Sequence, residues 1–355
     1  DARTQCALLP QDPYQTIPTA NESSEAVFDT ALLKEEDIVK TVLDPVSDLD
    51  FTGLYTQGTV YRGSSNSAGA KHWFETKNFV LDFSVWLENG RAVKSSYAGT
   101  TWSDDEYKVK INFVRQSLLP LQNEQKKLSS GKYRAFISAD ALHEFATFFS
   151  WNGLGERGMR EGESAFIPLR EGRECFSEQF TVSQDFSLGG EPAFNTMGEV
   201  SDEKLVLIQN GKLVNTIINS RTAKEYGLTS NGADEGEGVR SLCIAGGSLE
   251  EDKILEALGT GIYVSNFHYL NWSDVQNARI TGMTRFACLW VENGKIVAPI
   301  SDMRWDDSLY NLFGAKLQAI TSERHLFPET STYERREVGS CLLPGILVSE
   351  LNCTL

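Results

Sequence analysis

Three Asn-Gly dipeptides, each set between two alternating apolar runs, constrain the fold of this chain more than any other feature. They lie in VWLENGRAV (85–93), VLIQNGKLV (206–214) and VENGKIVAP (291–299). A type I′ turn needs positive φ at both central residues, which Asn tolerates and Gly adopts freely. We therefore predict a tight antiparallel hairpin at each dipeptide. The copies are unequally spaced, which excludes a solenoid or propeller repeat.

Apolar periodicity predicts the other elements. After an extended lead-in over 1–20, a period of two predicts strands at 51–63, 72–87, 91–102, 133–138 and 341–351, with short strands over 160–220 and 261–300. Helical spacing predicts helices at 23–45, 106–119, 139–151, 220–227 and 248–261. Ser103 with Glu106, and Ser248 with Glu251, match the capping-box pattern of a helix start.

The polar segment QNEQKKLSSGK at 122–132 interrupts this pattern and is the best candidate for a domain boundary. A chain of 355 residues, 41% of them hydrophobic, can bury two cores. We predict an α+β protein with antiparallel, hairpin-rich sheets and flanking helices. It has a smaller N-terminal α/β part at 1–128 and a larger β-rich C-terminal domain at 129–355.

The net charge of −16 restricts the possible partners. Nucleic acids and anionic membranes are excluded, because binding either requires a basic surface that displaces counterions. A peptide or protein partner, particularly a basic one, fits better. The six cysteines are spread without C-x-x-C pairs, and a chain of this size does not need disulfides. We therefore expect reduced thiols and a cytoplasmic location.

An ordered set of segments gives a more specific expectation. GTGIYVSNFHYLN (259–271) is followed by ITGMTRFACLWVENGKIVAPI (280–300), and SLGGEPAFNTMGEV (187–200) precedes both. This order resembles the TldD/PmbA family, with its G-[IL]-Y-V strand, T-G-x-[ST]-R segment and E-N-G hairpin. The resemblance is best over 131–355, and family members carry a further N-terminal portion, so we expect 1–128 to be incomplete at its start. The resemblance to this family implies proteolysis of small or unfolded peptides in a closed chamber.

The family divides into TldD-type chains, with an H-E-x-x-x-H helix and a later Cys as metal ligands, and TldE/PmbA-type chains, which lack them. The pair His143-Glu144 begins this pattern, but Thr147 and Phe148 stand at i+4 and i+5 of His143. Neither side chain replaces an imidazole. His143 lies off the apolar stripe of its helix. We therefore expect a solvated histidine beside a solvated glutamate.

A second alignment, on the Ser-Ala-Phe at 164–166, fails as well. It puts the two ligand positions on Thr147 and Asn152 and the Glu position on Phe148. A catalytic zinc needs three protein ligands. We therefore predict no metal ligand, no catalytic residue and no cofactor in this chain. The partner chain is expected to hold a divalent metal, zinc by the family's ligand set.

Two further segments have structural explanations. Cys288 follows strand alternation and is expected to pack as a small apolar residue. GADEGEG at 232–238 lacks the order of a calcium loop and is expected to be an acidic loop.

The segment NFHYLNW (266–272) concentrates rings, and GMTR (282–285) is expected on a neighbouring strand. Such groups at the edge of an antiparallel sheet can bind an extended peptide as an added strand. The alternative is packing in the core or at a subunit interface. The candidate peptide-contacting residues are His268, Tyr269, Asn271, Thr284 and Arg285.

The resemblance implies a TldE/PmbA-type subunit that pairs with a TldD-type metalloprotease, or with a second copy of itself, and contributes to peptide maturation. This chain is expected to be the non-catalytic partner, without contact to DNA. Two alternatives stay open: a self-sufficient peptidase with dispersed metal ligands, and a homodimeric peptide-binding protein.

Overall fold

The computed structural model describes residues 2–6, 8–19, 21–331 and 337–354, and within them it has eight α-helices and seventeen strands in two sheets. The helices are α1 Ala2–Cys6, α2 Glu35–Leu43, α3 Asp104–Leu118, α4 Ala139–His143, α5 Glu156–Glu161, α6 Ile167–Arg170, α7 Ser220–Tyr226 and α8 Ile254–Leu258. The strands are β1 Ser23–Phe28, β2 Asp50–Ser65, β3 Lys71–Trp86, β4 Ala92–Gly99, β5 Gly131–Ile137, β6 Val182–Asp185, β7 Lys204–Gln209, β8 Lys212–Leu213, β9 Leu242–Ile244, β10 Gly261–Val264, β11 Asn266–Asp274, β12 Arg279–Arg285, β13 Leu289–Glu292, β14 Lys295–Pro299, β15 Arg304–Ser308, β16 Leu317–Pro328 and β17 Ser340–Cys353. The predicted α+β class is confirmed.

The smaller sheet is built on β3, which pairs antiparallel with β2 and β4 and parallel with β1. Period-two alternation puts one face of β3 against α3, as expected for a sheet with one buried side. The buried residues that these two elements contribute to one core are Phe79, Leu81, Phe83 and Val85 of β3 and Tyr107, Ile111, Val114 and Leu118 of α3. The strands predicted over 51–102 are therefore confirmed.

The start of α3 uses half of the predicted capping box. Ser103 Oγ accepts from the amide N–H of Glu106 at 3.3 Å. The amide N–H of Ser103 donates to the Tyr97 hydroxyl oxygen at 3.0 Å, and that hydroxyl lies 3.2 Å from Glu106 Oε2. Tyr97 thus takes the place that the Glu106 side chain has in a complete capping box.

The larger sheet holds the other thirteen strands around β17. β17 pairs antiparallel with β5, β15 and β16 and parallel with β9. The two sheets share a core, because Ala287 and Leu289 are buried against the apolar residues of the smaller sheet. Within the segment 122–132, Asn123 donates to the Val297 carbonyl of β14 at 3.3 Å, and Lys126 Nζ contacts Glu292 Oε1 of β13 at 2.7 Å. The division into domains at 128/129 stays a prediction.

Two of the three Asn-Gly turns have the predicted geometry. Asn210-Gly211 has φ of 48° and 76°, and Asn293-Gly294 has φ of 51° and 74°. In the first copy only Gly90 has positive φ, at 79°. There the amide N–H of Gly90 donates to the Leu87 carbonyl, which closes a longer loop between β3 and β4. The type I′ prediction for this copy is wrong, although the hairpin itself is confirmed.

The predicted helix over 23–45 is wrong in its first part. Ser23–Phe28 forms β1, whose backbone pairs with Lys71–Thr76 of β3. The helix begins only at Glu35, and its Val42 is buried whereas Val39 is 68% exposed. Sheet pairing therefore overrides helical spacing here.

Three other predictions need correction. The helix predicted over 139–151 ends at His143 and continues as a 3₁₀ turn at Ala146–Phe149. Ser248 caps no helix, because Leu249 forms a β-bridge with Thr321. Within the lead-in, Ala2–Cys6 is helical, and Asp12 forms an ion pair with Arg221 at 2.7 Å. Gly227 has φ of 66° and ends α7 as predicted.

Candidate functional site

The His143-Glu144 pair lies at the end of α4, and His143 is more enclosed than predicted. Its imidazole stacks on the ring of Phe327, with centroids 4.7 Å apart and planes at 11°. Burial lowers the pKa of His143, against the nearby carboxylates of Asp140 and Glu329. The Glu144 carboxyl is exposed to solvent, as predicted, but shielding by its neighbours still raises its pKa. A solvated His143 is therefore a wrong prediction: the ring is half-buried.

The predicted peptide-contacting residues lie on two paired strands, β11 and β12. His268 pairs with Met283, and Asn271 pairs with Thr281. The register shifts between His268 and Asn271, where Tyr269 adopts φ of 54° and is 78% exposed. This bulge turns the Tyr269 ring outward, 4.1 Å from the His268 imidazole.

Thr284 and Arg285 of β12 differ in their surroundings. Thr284 is buried: its amide donates to the Met303 carbonyl at 2.9 Å, and its hydroxyl accepts from the Met303 amide at 2.8 Å. Arg285 is exposed, with its guanidinium 5.3 Å from the Phe286 ring centroid. The structure thus brings His268 and Arg285 to one surface and ties Thr284 into the sheet.

The pKa of His268 is lowered, mainly by burial and to a smaller extent by the positive charges of Arg285 and Lys94. The carboxylate of Asp302 raises this pKa and so acts in the opposite direction. Lys94 lies on β4 of the smaller sheet and is paired with Asp82 at 3.3 Å. The charged groups around His268 therefore come from both sheets.

Asn266 belongs to the same surface and was not predicted. It pairs with Arg285 in the register of β11 and β12, is 8% exposed, and its Oδ1 has no hydrogen-bond partner among the described residues. Arg304 was also missed. It pairs with Met283 from the other side, so His268, Met283 and Arg304 form a row across three strands.

The remaining predicted features are structural. Cys288 is 2% exposed, and burial raises the pKa of its thiol, as expected for a packed residue. In the acidic loop, Glu237 is buried and accepts from the amides of Arg157 at 2.7 Å and Asn219 at 3.0 Å. The six cysteines are free, as predicted.

Away from β11 and β12, described residues line open cavities, two of which contain titratable side chains. One of about 580 Å³ is lined by β1–β3 residues around His72, whose Nδ1 lies 2.9 Å from Ser24 Oγ. The other, of about 500 Å³, is lined by Asn152, Arg157 and Arg221 with several carboxylates.

Comparison with known proteins identifies the family. Residues 130–355 match the model of the PmbA/TldA metallopeptidase C-terminal domain, which is more than half of the chain. The chain belongs to the PmbA/TldD family. The resemblance expected from the segments at 259–271 and 280–300 is confirmed.

Individual proteins are similar to this chain in sequence or in fold. A 194-residue alignment is 27% identical to the metalloprotease PmbA of Escherichia coli O157:H7 and spans 53% of this chain but only 39% of that protein. TldE from Thermococcus kodakarensis has the same fold, with a TM-score of 0.75 at 14% identity over 100% of this chain and 83% of that chain. A candidate modulator of DNA gyrase from Bacteroides thetaiotaomicron VPI-5482 gives 0.76 at 15% identity over 99% and 80%.

A metallopeptidase family implies a metal, but neither alignment of the family's motif places a set of metal ligands in this chain. In the second alignment the Glu position is Phe148, fully buried with its ring 4.8 Å from that of Trp272. Asn152 donates its amide to the Glu163 carbonyl at 2.9 Å, and Thr147 is exposed. These side chains do not fit a zinc site.

Elsewhere in the described ranges, no group of three or more His, Cys, Asp or Glu side chains is placed to hold a metal. Among the described helices, none is long and apolar enough to cross a membrane.

Proposed function

We propose that this chain is the TldE/PmbA-type subunit of a TldD/TldE-like metalloprotease system acting on small or unfolded peptides. In this proposal the partner chain holds the divalent metal, the water and the base. This chain shapes the chamber, stabilises the partner and contacts the peptide, in the cytoplasm and without direct contact to nucleic acid. Peptide maturation is the expected role.

One observation carries the proposal: Phe148, a core aromatic residue, occupies the motif's second His position in the alignment that starts at His143 and its Glu position in the second alignment. Phe148 packs against Trp272 and lies 5.9 Å from the ring of Trp151. A carboxylate at this position would be buried without a partner, which is costly. Within this family, such a chain suits the TldE/PmbA type.

The test is co-expression with a TldD-type chain, followed by size-exclusion chromatography, elemental analysis and a peptide-cleavage assay. We expect a stable complex that holds about one metal ion per partner chain and cleaves unfolded peptides, whereas this chain alone holds no stoichiometric metal and cleaves nothing. The double variant H143A/E144A is the matched control, because it removes the pair that begins the metal pattern. It should leave the metal content of the complex unchanged.

Stoichiometric metal and cleavage by the isolated chain would replace this proposal with the self-sufficient peptidase. A stable homodimer that binds peptide but ignores the TldD-type chain would replace it with the homodimeric binding protein.

A further inference from the structure

The strand β11 offers a place where another strand can pair. Among the described strands, β11 pairs with β12 alone, so it is an edge of the larger sheet. An edge strand presents unpaired N–H and C=O groups to any extended chain that approaches it. Its bulge places the exposed ring of Tyr269 beside this edge.

The face next to this edge is cationic in a strongly acidic protein. Residues opposite one another in a sheet project to the same side. By this register Asn266 and Arg285 share a face with the row His268, Met283 and Arg304.

Arg285 and Arg304 are both exposed, and neither forms an ion pair with a described residue. Arg304 donates from Nε to Thr281 Oγ1 at 3.2 Å. The carboxylate near this face is that of Asp302, which raises the pKa of His268. The Arg285 guanidinium and the remaining N–H groups of Arg304 can thus bind an anion, on a chain whose net charge is −16.

Asn266 provides an independent indication of a ligand. Its side chain is buried, yet Oδ1 lacks a donor among the described residues. A buried acceptor without a donor is unfavourable, and such groups in native proteins are satisfied by water or by a bound molecule. The amide N–H groups of an extended peptide are donors of the required kind.

We infer that the edge of β11, with Asn266, His268 and Arg285, binds an extended peptide through a carboxylate of that peptide. The backbone of the peptide pairs with β11, Asn266 accepts one of its N–H groups, and Arg285 binds the carboxylate, a geometry for which a guanidinium is suited. The inference rests on the proposed peptide-handling function and adds the chemistry that the substrate must carry. The carboxylate belongs either to the peptide's C-terminus or to an Asp or Glu side chain.

The experiment measures binding of fluorescent eight-residue peptides to the isolated full chain by anisotropy. The three peptides carry a central Glu with an amidated C-terminus, a central Gln with a free C-terminus, and a central Gln with an amidated C-terminus. We expect the uncharged peptide to bind at least about tenfold more weakly than one of the other two, and that one identifies the source of the carboxylate. Equal affinity for all three, or no binding, overturns the inference.

Variants locate the site. Arg285→Gln should weaken the preferred peptide about tenfold, whereas R173Q, an exposed arginine outside this face, should not. Asn266→Ala should weaken binding without lowering the melting temperature, because Asn266 Oδ1 accepts no hydrogen bond from a described residue. A loss of stability without a loss of affinity would make Asn266 structural and contradict the inference.

The two proposals can fail separately. Cleavage by the complex without a carboxylate preference overturns this inference alone. Carboxylate-dependent binding by a chain that never joins a TldD-type partner overturns the proposed function alone.

Discussion

The His143 imidazole lies flat on the Phe327 ring, with the centroids 4.7 Å apart, and so links the end of α4 to β16. This contact removes one face of the imidazole from water. It explains why a residue that begins a metal-binding pattern behaves as a packing residue.

The stacked imidazole predicts a pH effect on stability. Burial lowers the pKa of His143 below its unfolded value, so the unfolded chain binds more protons between the two pKa values. The contribution of His143 to the free energy of unfolding is therefore present above the unfolded pKa and falls as the pH drops through it. We expect His143→Gln to reduce the loss of melting temperature between pH 7.5 and pH 5.5. An unchanged pH dependence in this variant would contradict the assignment.

For Glu191 we expect the opposite pH dependence of stability. Burial, against the attraction of Arg240, raises the pKa of Glu191 to about 7. Its folded pKa lies above its unfolded pKa, so its contribution is present at low pH and is lost as the pH rises through about 7. Glu191→Gln should be more stable than the parent at pH 8, by on the order of 1–3 kcal/mol, and should lose this advantage near pH 4. Urea unfolding at both pH values measures it.

The acidic loop offers a matched pair of glutamates. Glu237 is buried and accepts from two backbone amides, whereas Glu235 is exposed in the same loop. Glu237→Gln places an NH₂ group against one of these N–H donors, so we expect a loss of about 1–3 kcal/mol in the free energy of unfolding. E235Q should change it by less than about 0.5 kcal/mol. Equal effects would show that the loop is not anchored by Glu237.

The glycines of two Asn-Gly turns should differ in their tolerance of alanine. At Gly211 a Cβ would lie 2.3 Å from the Phe176 carbonyl oxygen, whereas at Gly90 it would meet nothing within 4 Å. Both have positive φ, so Gly90→Ala should cost only the backbone strain, about 1 kcal/mol. Gly211→Ala adds a clash with backbone and should cost at least about 2 kcal/mol. Chemical denaturation of both variants compares them.

The sequence predicts the elements that bury one face and expose the other. The strands β2–β4 alternate because one face packs on α3, and this alternation is visible without a structure. β1 was missed because its side chains are mostly exposed and its stability comes from backbone pairing with β3, which leaves no period.

The candidate site shows the same limit. The ring-rich segment identified His268 and Tyr269, but Arg304 reaches their row only through the register of β12 with β15. Asn266 carries no local signal either, because an unsatisfied acceptor is a property of its surroundings. The sequence therefore identifies the strand but not Arg304, the charged residue that the register of the sheet brings beside it.

The pairing of β5 with β17 has a consequence for how the polypeptide acquires its shape. Cys353 pairs with Gly131, so this ladder joins segments more than 200 positions apart along the chain. Contacts between such distant segments close late and slowly. During synthesis β5 therefore lacks this partner strand until β17 has emerged from the ribosome, and apolar surface exposed in that interval favours aggregation.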